Sequence, residues 1–231
     1  MSDPIRSHKG IIDKYIGDSI MAYWGPPFTD DVNQARFACL AAIDMLARVA
    51  PMRTELPELL GLRAMPAECD IRIGIATGEV LVGSIGSELM MSYTVMGDTV
   101  NLASRLEMAN KIYGSHSLVS EATIIGAGDA VEVRQIDRLV VLGQTVAQTV
   151  FEIMGRKDEL SDQQISLRAH YLEGLGAYRA QDWETAAIAF KAALDTDPND
   201  GPSLTMAARV ESFRKNPPAG DWDGSWQLDH K

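Results

Sequence analysis

The fold of this chain is decided by the stretch Tyr93-Thr-Val-Met-Gly-Asp-Thr-Val-Asn-Leu-Ala-Ser-Arg-Leu-Glu107. It predicts a strand, a glycine turn and a helix in immediate succession. Asn101 and Arg105 are one turn apart, so both project from the same side of that helix. A neutral amide and a fixed cation on one helix face suit a polyanionic ligand. The alternative is an amphipathic helix with a solvated polar face, whose adjacent apolar stripe packs on a sheet through Leu102, Leu106 and Ala109.

A second segment, Asp13-Lys-Tyr-Ile-Gly-Asp-Ser-Ile-Met-Ala-Tyr-Trp24, predicts a β-hairpin with a tight turn at Gly17. Lys14 and Asp18 flank this turn. A carboxylate at a hairpin tip can bind a hard cation, and a nearby lysine suits a phosphate or an acceptor atom on a base. In the simpler interpretation, Lys14 is a solvated strand residue and Asp18 a turn residue.

Both segments resemble the class III nucleotidyl cyclases, and so does Arg72-Ile-Gly-Ile-Ala-Thr-Gly-Glu-Val-Leu-Val-Gly83 between them. The resemblance covers roughly residues 8 to 154 and is strongest to bacterial adenylate cyclases that carry a sensor and a membrane anchor upstream. It implies an α+β fold, the ferredoxin-like cyclase domain. It also implies formation of cyclic AMP and pyrophosphate from ATP, with two Mg²⁺ or Mn²⁺ ions. ATP is therefore the expected ligand.

The resemblance assigns roles to individual side chains. Asn101 matches the residue that orients the ribose, and Arg105 matches the cation that stabilises charge on the transferring phosphate. Lys14 matches the lysine that reads adenine. Thr94 stands where many relatives have an aspartate facing the adenine amino group, and its hydroxyl can accept that N–H.

Two further residues match groups that hold the phosphates. Asp18 matches one of the two metal-binding aspartates, and Arg72 matches a phosphate-contacting arginine. An ion pair of Arg72 with Asp70 or Glu79 is the alternative. In the resembled family the site is shared across a two-fold homodimer. Asp18 and Arg72 of one subunit would then hold a nucleotide that also faces four residues of the other subunit, namely Lys14, Thr94, Asn101 and Arg105.

The sequence departs from the family pattern in two places. The first metal aspartate and the phosphate cradle belong to a Phe-x-Asp-x-x-x-Phe-Thr segment, and nothing before His8 matches it, so we expect an N-terminally truncated domain that lacks its opening strand. Leu142 stands where many relatives have a phosphate-binding lysine. The chain is then a fragment of a normal cyclase, a degenerate domain that binds nucleotide or a partner without turnover, or a helper subunit. We expect little activity from it alone; if it is active, Asp13 or Asp98 fills the vacant metal role.

Composition limits the classes of function. The 231 residues are 46% hydrophobic and 23% charged, as in ordinary globular proteins, and the net charge of -11 argues against non-specific binding of nucleic acid. Cys39 and Cys69 are too few for a disulfide framework or a zinc site and fit a reducing cytosol. Since no run of about 18 apolar residues exists, we expect no membrane span in this chain. We expect a cytoplasmic location, and the chain could be the cytoplasmic part of a membrane-anchored parent protein.

The pattern of predicted secondary structure changes near residue 157, from mixed strands and helices to helices alone. We predict a cyclase domain at 1–157, with a mixed sheet covered by helices on one side. An irregular connection is predicted at 51–66, in which Leu56, Leu59 and Leu60 could form a short helix. A small all-α appendage is predicted at 158–231, with helices at 165–180, 184–194 and 203–214. Trp222 and Trp226 are expected to anchor its tail to a nearby surface.

One tetratricopeptide-like unit is indicated within this appendage by Gly174, Ala186, Phe190, Ala193 and Pro198. A single repeat cannot bury both of its faces. It must therefore dock on the cyclase domain, on a second copy or on a protein partner, or serve only as a packing appendage.

Overall fold

The structure is a computed structural model that describes residues 1–61, 70–87, 89–140 and 146–228. Its fold is of mixed α+β type. In chain order the helices and strands are α1 (Ser2–Ser7), β1 (Ile11–Ile16), β2 (Ser19–Tyr23), α2 (Gln34–Ala47), α3 (Val49–Leu60), β3 (Ile73–Ile75), β4 (Leu81–Ser87), β5 (Met90–Met96), α4 (Asp98–Tyr113), β6 (Ser117–Ser120), α5 (Glu121–Ala127), β7 (Val131–Val140), β8 (Gln148–Arg156), α6 (Asp162–Arg179), α7 (Trp183–Thr196), α8 (Gly201–Lys215) and β9 (Trp226–Gln227).

The central sheet has the strand order β3-β6-β8-β7-β9. The pairs β3–β6 and β7–β9 are parallel, whereas β6–β8 and β7–β8 are antiparallel. Two antiparallel hairpins, β1–β2 and β4–β5, are separate from it. The sequence predicted the hairpin β1–β2 and the strand before the Gly97 turn, but it did not show that the two hairpins pair apart from the central sheet.

Helices cover both faces of the sheet, and the prediction of helices on one side was wrong. Leu118 and Val119 are consecutive on β6, so their side chains lie on opposite faces. Leu118 belongs to an apolar cluster with α4 and α6–α8, whereas Val119 packs with α2 and α5. Neither face of the central sheet is therefore left to solvent alone.

The stretch after α2 is more regular than predicted. Residues 51–60 belong to helix α3 (Val49–Leu60), although Pro57 lies inside it, and Gly61 ends the helix in the left-handed conformation. The rest of the predicted connection, with Cys69, lies outside the described residues, as does Leu142.

The three C-terminal helices form as predicted, each with a side-chain N-cap. Ser161 makes a capping box with Gln164, and Asp182 and Asp200 cap α7 and α8. Gly174 lets α6 approach α7, because a Cβ atom there would lie 2.9 Å from the ring of Phe190. The packing agrees with a repeat-like helix pair, and the tetratricopeptide assignment stays a prediction.

These helices dock on the sheet of residues 1–157, which is one of the predicted docking alternatives. Arg134 on β7 is buried and forms a bidentate ion pair with Asp200, at 2.9 and 2.6 Å, and a third contact with Glu152 at 2.7 Å. On the same face, Arg209 of α8 donates to Asp137 at 2.5 Å. Buried charges paired in this way fix one mode of docking, because each is costly to leave alone.

The C-terminal tail returns to the sheet, as its tryptophans predicted. Trp226 lies over the Arg209 guanidinium, 3.8 Å from ring centroid to carbon, and Trp222 packs edge-on against Tyr178. Trp226–Gln227 pairs with β7, so the segment 158–231 is helical through α8 but adds one short strand. The division of domains at 157 stays a prediction. Within the described ranges, no helix combines the length and apolar composition that crossing a bilayer requires.

Candidate functional site

Helix α4 carries the two predicted catalytic residues on a firmly held element. Its inner stripe is buried as predicted: Leu106 and Ala109 are almost fully buried, and Leu102 packs beside them. Strand β3 fixes the helix at Gly74, where a Cβ atom would lie only 2.1 Å from a backbone oxygen of α4. The Asn110 amide adds a hydrogen bond of 2.9 Å to the backbone of β3. The helix can therefore hold a side chain in place for a ligand.

Asn101 and Arg105 are both available to a ligand. Asn101 is exposed and Arg105 is half-buried, and neither side chain makes a hydrogen bond or ion pair with any residue in the described ranges. Asn101 lines an open cavity of about 690 Å³ between the hairpin β4–β5 and the first turn of α4, together with Leu81, Met96 and Asp98. A polar group at the edge of a partly apolar groove is the usual setting of a nucleotide or cofactor contact.

The two predicted base-reading residues meet at a third side chain. The Thr94 hydroxyl on β5 donates to Asp13 Oδ2 at 3.0 Å. Lys14 Nζ lies 3.2 Å from the same oxygen, and the Lys14 side chain is 43% exposed, whereas that of Asp13 is 1% exposed. The structure thus brings Lys14 and Thr94 together across two hairpins. Sequence reasoning named Asp13 only as a substitute metal ligand and missed this contact.

Tyr23 lies near Asp13. Burial raises the pKa of the Tyr23 hydroxyl, and the neighbouring Tyr93 and Asp13 raise it further. Tyr23 therefore stays neutral at physiological pH and adds no charge near the base-reading pair.

The two predicted phosphate-binding residues lie on other parts of the surface. Asp18 is exposed in the two-residue loop of the hairpin β1–β2 and contacts no partner in the described part of the chain. Arg72 donates through Nε to Glu107 at 3.0 Å. Its partner is therefore Glu107, and neither Asp70 nor Glu79. The terminal nitrogens of Arg72 are not used by any described residue and can still bind a phosphate.

The chemistry of Asp18 fits one ligand of a hard divalent cation, since it is an unpaired carboxylate at an exposed turn. Across the described ranges, no three His, Cys, Asp or Glu side chains lie close enough to hold a metal ion together. Asp13 is committed to Thr94 and Lys14, and Asp98 lies in the first turn of α4. Among the described candidates named from the sequence, Asp18 is the carboxylate that stands unpaired in an exposed loop.

Comparison with known proteins identifies the family. Residues 5–154 match the adenylate and guanylate cyclase catalytic domain. The chain is 32% identical over 209 residues to the terminal-differentiation specific adenylate cyclase of Dictyostelium discoideum. The aligned region covers 89% of this chain and 9% of that protein. It is 35% identical over 159 residues to adenylate cyclase 1 of Rhizobium meliloti, which covers 67% of this chain and 22% of that protein.

A solved structure agrees with the sequence match. The adenylyl cyclase CyaB from P. aeruginosa is similar with a TM-score of 0.60 and 29% identity, over 69% of this chain and 79% of that one. The chain spans 9% and 22% of the lengths of the two curated relatives. From the matched residues and the shared fold, the chain belongs to the adenylate and guanylate cyclase catalytic domain family.

Proposed function

We propose that this chain is an adenylate cyclase-type domain that forms cyclic AMP and pyrophosphate from ATP, at a site shared by two copies, for cyclic nucleotide signalling. The observation that carries the proposal is the meeting of Lys14 and Thr94 at one buried carboxylate. Lys14 and Thr94, both matched to the base-reading pair, are distant in sequence and are held together through Asp13, where a base could contact both. The adenylate cyclases among the relatives support ATP as the substrate.

The reaction joins the ribose 3′-oxygen to the α-phosphorus and breaks the bond from that phosphorus to the pyrophosphate oxygen, while the 3′-hydroxyl loses its proton. Arg105 would stabilise the charge that develops on the α-phosphate, and Asn101 would orient the ribose. Both stand on the rigid helix α4, so little reorganisation is needed during the reaction. Arg72 would contact the phosphates through its terminal nitrogens.

A divalent cation, Mg²⁺ or Mn²⁺, would supply charge neutralisation and orientation of the phosphate oxygens when bound. Asp18 is the residue of this chain that would hold it. The exposed loop position leaves both carboxylate oxygens of Asp18 accessible from outside the chain. We infer that the remaining ligands come from the nucleotide and from other protein groups.

Exposed apolar side chains on the two hairpins support pairing with a second cyclase domain. Large apolar residues cluster there and are more than half exposed, which is unusual for a surface that always faces water. They are Tyr15, Ile16, Leu81, Leu89, Met90, Met91 and Tyr93. The proposed homodimer would bury this surface and bring Asp18 and Arg72 of one copy towards Lys14, Thr94, Asn101 and Arg105 of the other.

A second function, regulation by nucleotide or partner binding without turnover, is favoured by one observation. In the described ranges no three His, Cys, Asp or Glu side chains lie together to hold a metal ion, whereas two-ion chemistry needs several ligands. A protein partner for the C-terminal helices would fit this role. For either function we propose the cytoplasm as the location, because ATP is available there and the buried Cys39 is a free thiol.

Complementation tests the proposed function. The purified chain is assayed with ATP and Mn²⁺ alone, and then mixed with a related cyclase domain whose own asparagine and arginine on the equivalent helix have been replaced by alanine. Cyclic AMP from the mixture, but not from the related domain alone, would support a site that uses Asn101 and Arg105. The Arg105→Ala chain should abolish this activity, whereas Lys111→Ala, an exposed cation at the other end of α4, should preserve it.

The other outcomes separate the two functions. ATP binding without cyclic AMP in any mixture would favour the regulatory alternative. Failure of the chain to bind ATP or GTP would contradict both.

A further inference from the structure

Asp13 occupies a position that ordinary strand geometry would not give it. Successive residues of a β-strand point to opposite faces, so Asp13 and Lys14 should diverge. The pairing of β1 with β2 instead shifts between Ile12 and Lys14: Ile12 faces Ala22, Lys14 faces Met21, and Asp13 is the extra residue of a β-bulge. Bulges re-aim side chains, and here the result is that both Asp13 and Lys14 reach the region of Thr94.

The buried carboxylate controls the single hydrogen of the Thr94 hydroxyl. A free threonine hydroxyl rotates and can either donate or accept. Here the hydrogen is donated to Asp13 Oδ2, and an ionised carboxylate can only accept, so the direction of this bond is fixed. The Thr94 oxygen therefore keeps lone pairs, but no hydrogen, for any ligand in front of it.

This polarity distinguishes the two purine bases. The 6-position of adenine carries an amino group that donates, whereas that of guanine carries an oxygen that accepts. An acceptor-only oxygen at Thr94 bonds the amino group and opposes the 6-oxygen, because two acceptors would be left facing each other without a proton. A threonine whose hydroxyl were free could turn and donate to guanine. Thr94 alone therefore cannot select a base.

We propose that Asp13 is a specificity-determining positioning residue, which selects a 6-aminopurine nucleotide by fixing the Thr94 hydroxyl as an acceptor. The inference rests on the proposed function, since it assigns the base preference of the same nucleotide site. The ion pair with Lys14 adds to this role by holding the lysine beside Thr94 while leaving its other N–H groups for the base.

The test compares ATP and GTP as competitors of a fluorescent ATP analogue bound to the full chain in Mn²⁺ buffer. Wild type should prefer ATP. Asp13→Ala releases the Thr94 hydroxyl and should lower the ATP:GTP affinity ratio about five- to tenfold, the worth of one hydrogen bond. Asp13→Asn can present its amide oxygen where Asp13 Oδ2 lies, so it should keep the ratio within about twofold of wild type.

A double-variant cycle separates this role from a merely structural one. Thr94→Val should lower the ratio as Asp13→Ala does, and the combination should lower it no further, because both changes remove the same contact. Asp13→Leu repeats the measurement with a side chain of similar volume. If the alanine variant misfolds, the leucine variant still allows the comparison. Thermal unfolding of each variant reports whether the fold is kept.

Three results would overturn the inference. An unchanged ratio in both Asp13→Ala and Asp13→Leu, with Thr94→Val altered, would leave the proposed function standing and remove only the role of Asp13. If Asp13→Ala lowered the ATP:GTP affinity ratio by the same factor in the Thr94→Val variant as in wild type, Asp13 would not act through the Thr94 hydroxyl. A wild-type chain that binds neither nucleotide would remove the proposed function and this inference with it.

Discussion

Replacement of Arg209 by methionine tests whether the C-terminal helices and the sheet unfold as one unit. The Asp137 side chain is fully buried on β7 and receives hydrogen bonds of 2.5 Å from both Arg209 and the Tyr113 hydroxyl. Without the guanidinium, a buried carboxylate is left with too few donors. Removal of one partner of such a pair typically costs about 3–5 kcal/mol. Since methionine can still pack against Trp226, we expect a loss near the lower end, about 3 kcal/mol.

The matched control is Arg214→Met on the same helix. Arg214 is 41% exposed and pairs with Glu184 and Glu211, which are exposed as well. Such surface pairs contribute less than about 1 kcal/mol. Urea unfolding followed by tryptophan fluorescence should give the free energy of unfolding of both variants, provided that the slopes with urea are equal. For a chain of this size, 3 kcal/mol corresponds to a fall in Tm of roughly 6–12 °C.

One outcome would refute the reasoning directly. If Arg209→Met lost no more stability than Arg214→Met, the buried ion pair would not hold the helices on the sheet. Two separated unfolding transitions, with only one shifted by the substitution, would show instead that the sheet and the helices unfold independently.

Three further predictions follow from the same structure. In the complementation assay Arg105→Ala should lower the initial rate of cyclic AMP formation by about 10²–10³, as loss of one transition-state donor does, and a loss below threefold would contradict its role. Gly174→Ala should destabilise the fold by about 1–3 kcal/mol in urea titrations because its Cβ meets Phe190, whereas Gly176→Ala, with open space around it, should stabilise by up to about 1 kcal/mol; equal effects would refute the close packing. Burial raises the pKa of the Cys39 thiol to about 12, so peptide mapping should show it unmodified by iodoacetamide at pH 8 until denaturant is added, and rapid labelling of the native chain would contradict its burial.

The sequence predicted best where local periodicity and tertiary packing agree. The apolar stripe of α4 is buried as its spacing indicated, and the hairpin β1–β2 forms near its predicted bounds. The three C-terminal helices also begin within a few residues of their predicted starts. These features depend on residues within a few positions of each other, which is the information that a single sequence carries.

Features that depend on distant residues were missed. Helix α3 is longer than the short helix that the sequence indicated, and it contains Pro57. The β-bulge at Asp13 has no local signature, so the meeting of Lys14 with Thr94 could be inferred only from the family resemblance. Similarly, the partner of Arg72 is Glu107, one of several carboxylates available in sequence, and only the docking of α4 on β3 selects it.

The hydrophobic core does not end where the family match ends. The match stops at residue 154, yet the cluster on one sheet face joins Leu118 and Leu139 to Tyr171, Phe190 and, near the end of the described chain, Leu228. A shortened protein cut after residue 157 would expose this whole face, and it would remove Asp200 from Arg134 and Arg209 from Asp137. Such a fragment should aggregate when it is produced. Laboratory work on the catalytic half should therefore retain the C-terminal helices, even when only the chemistry of the nucleotide site is of interest.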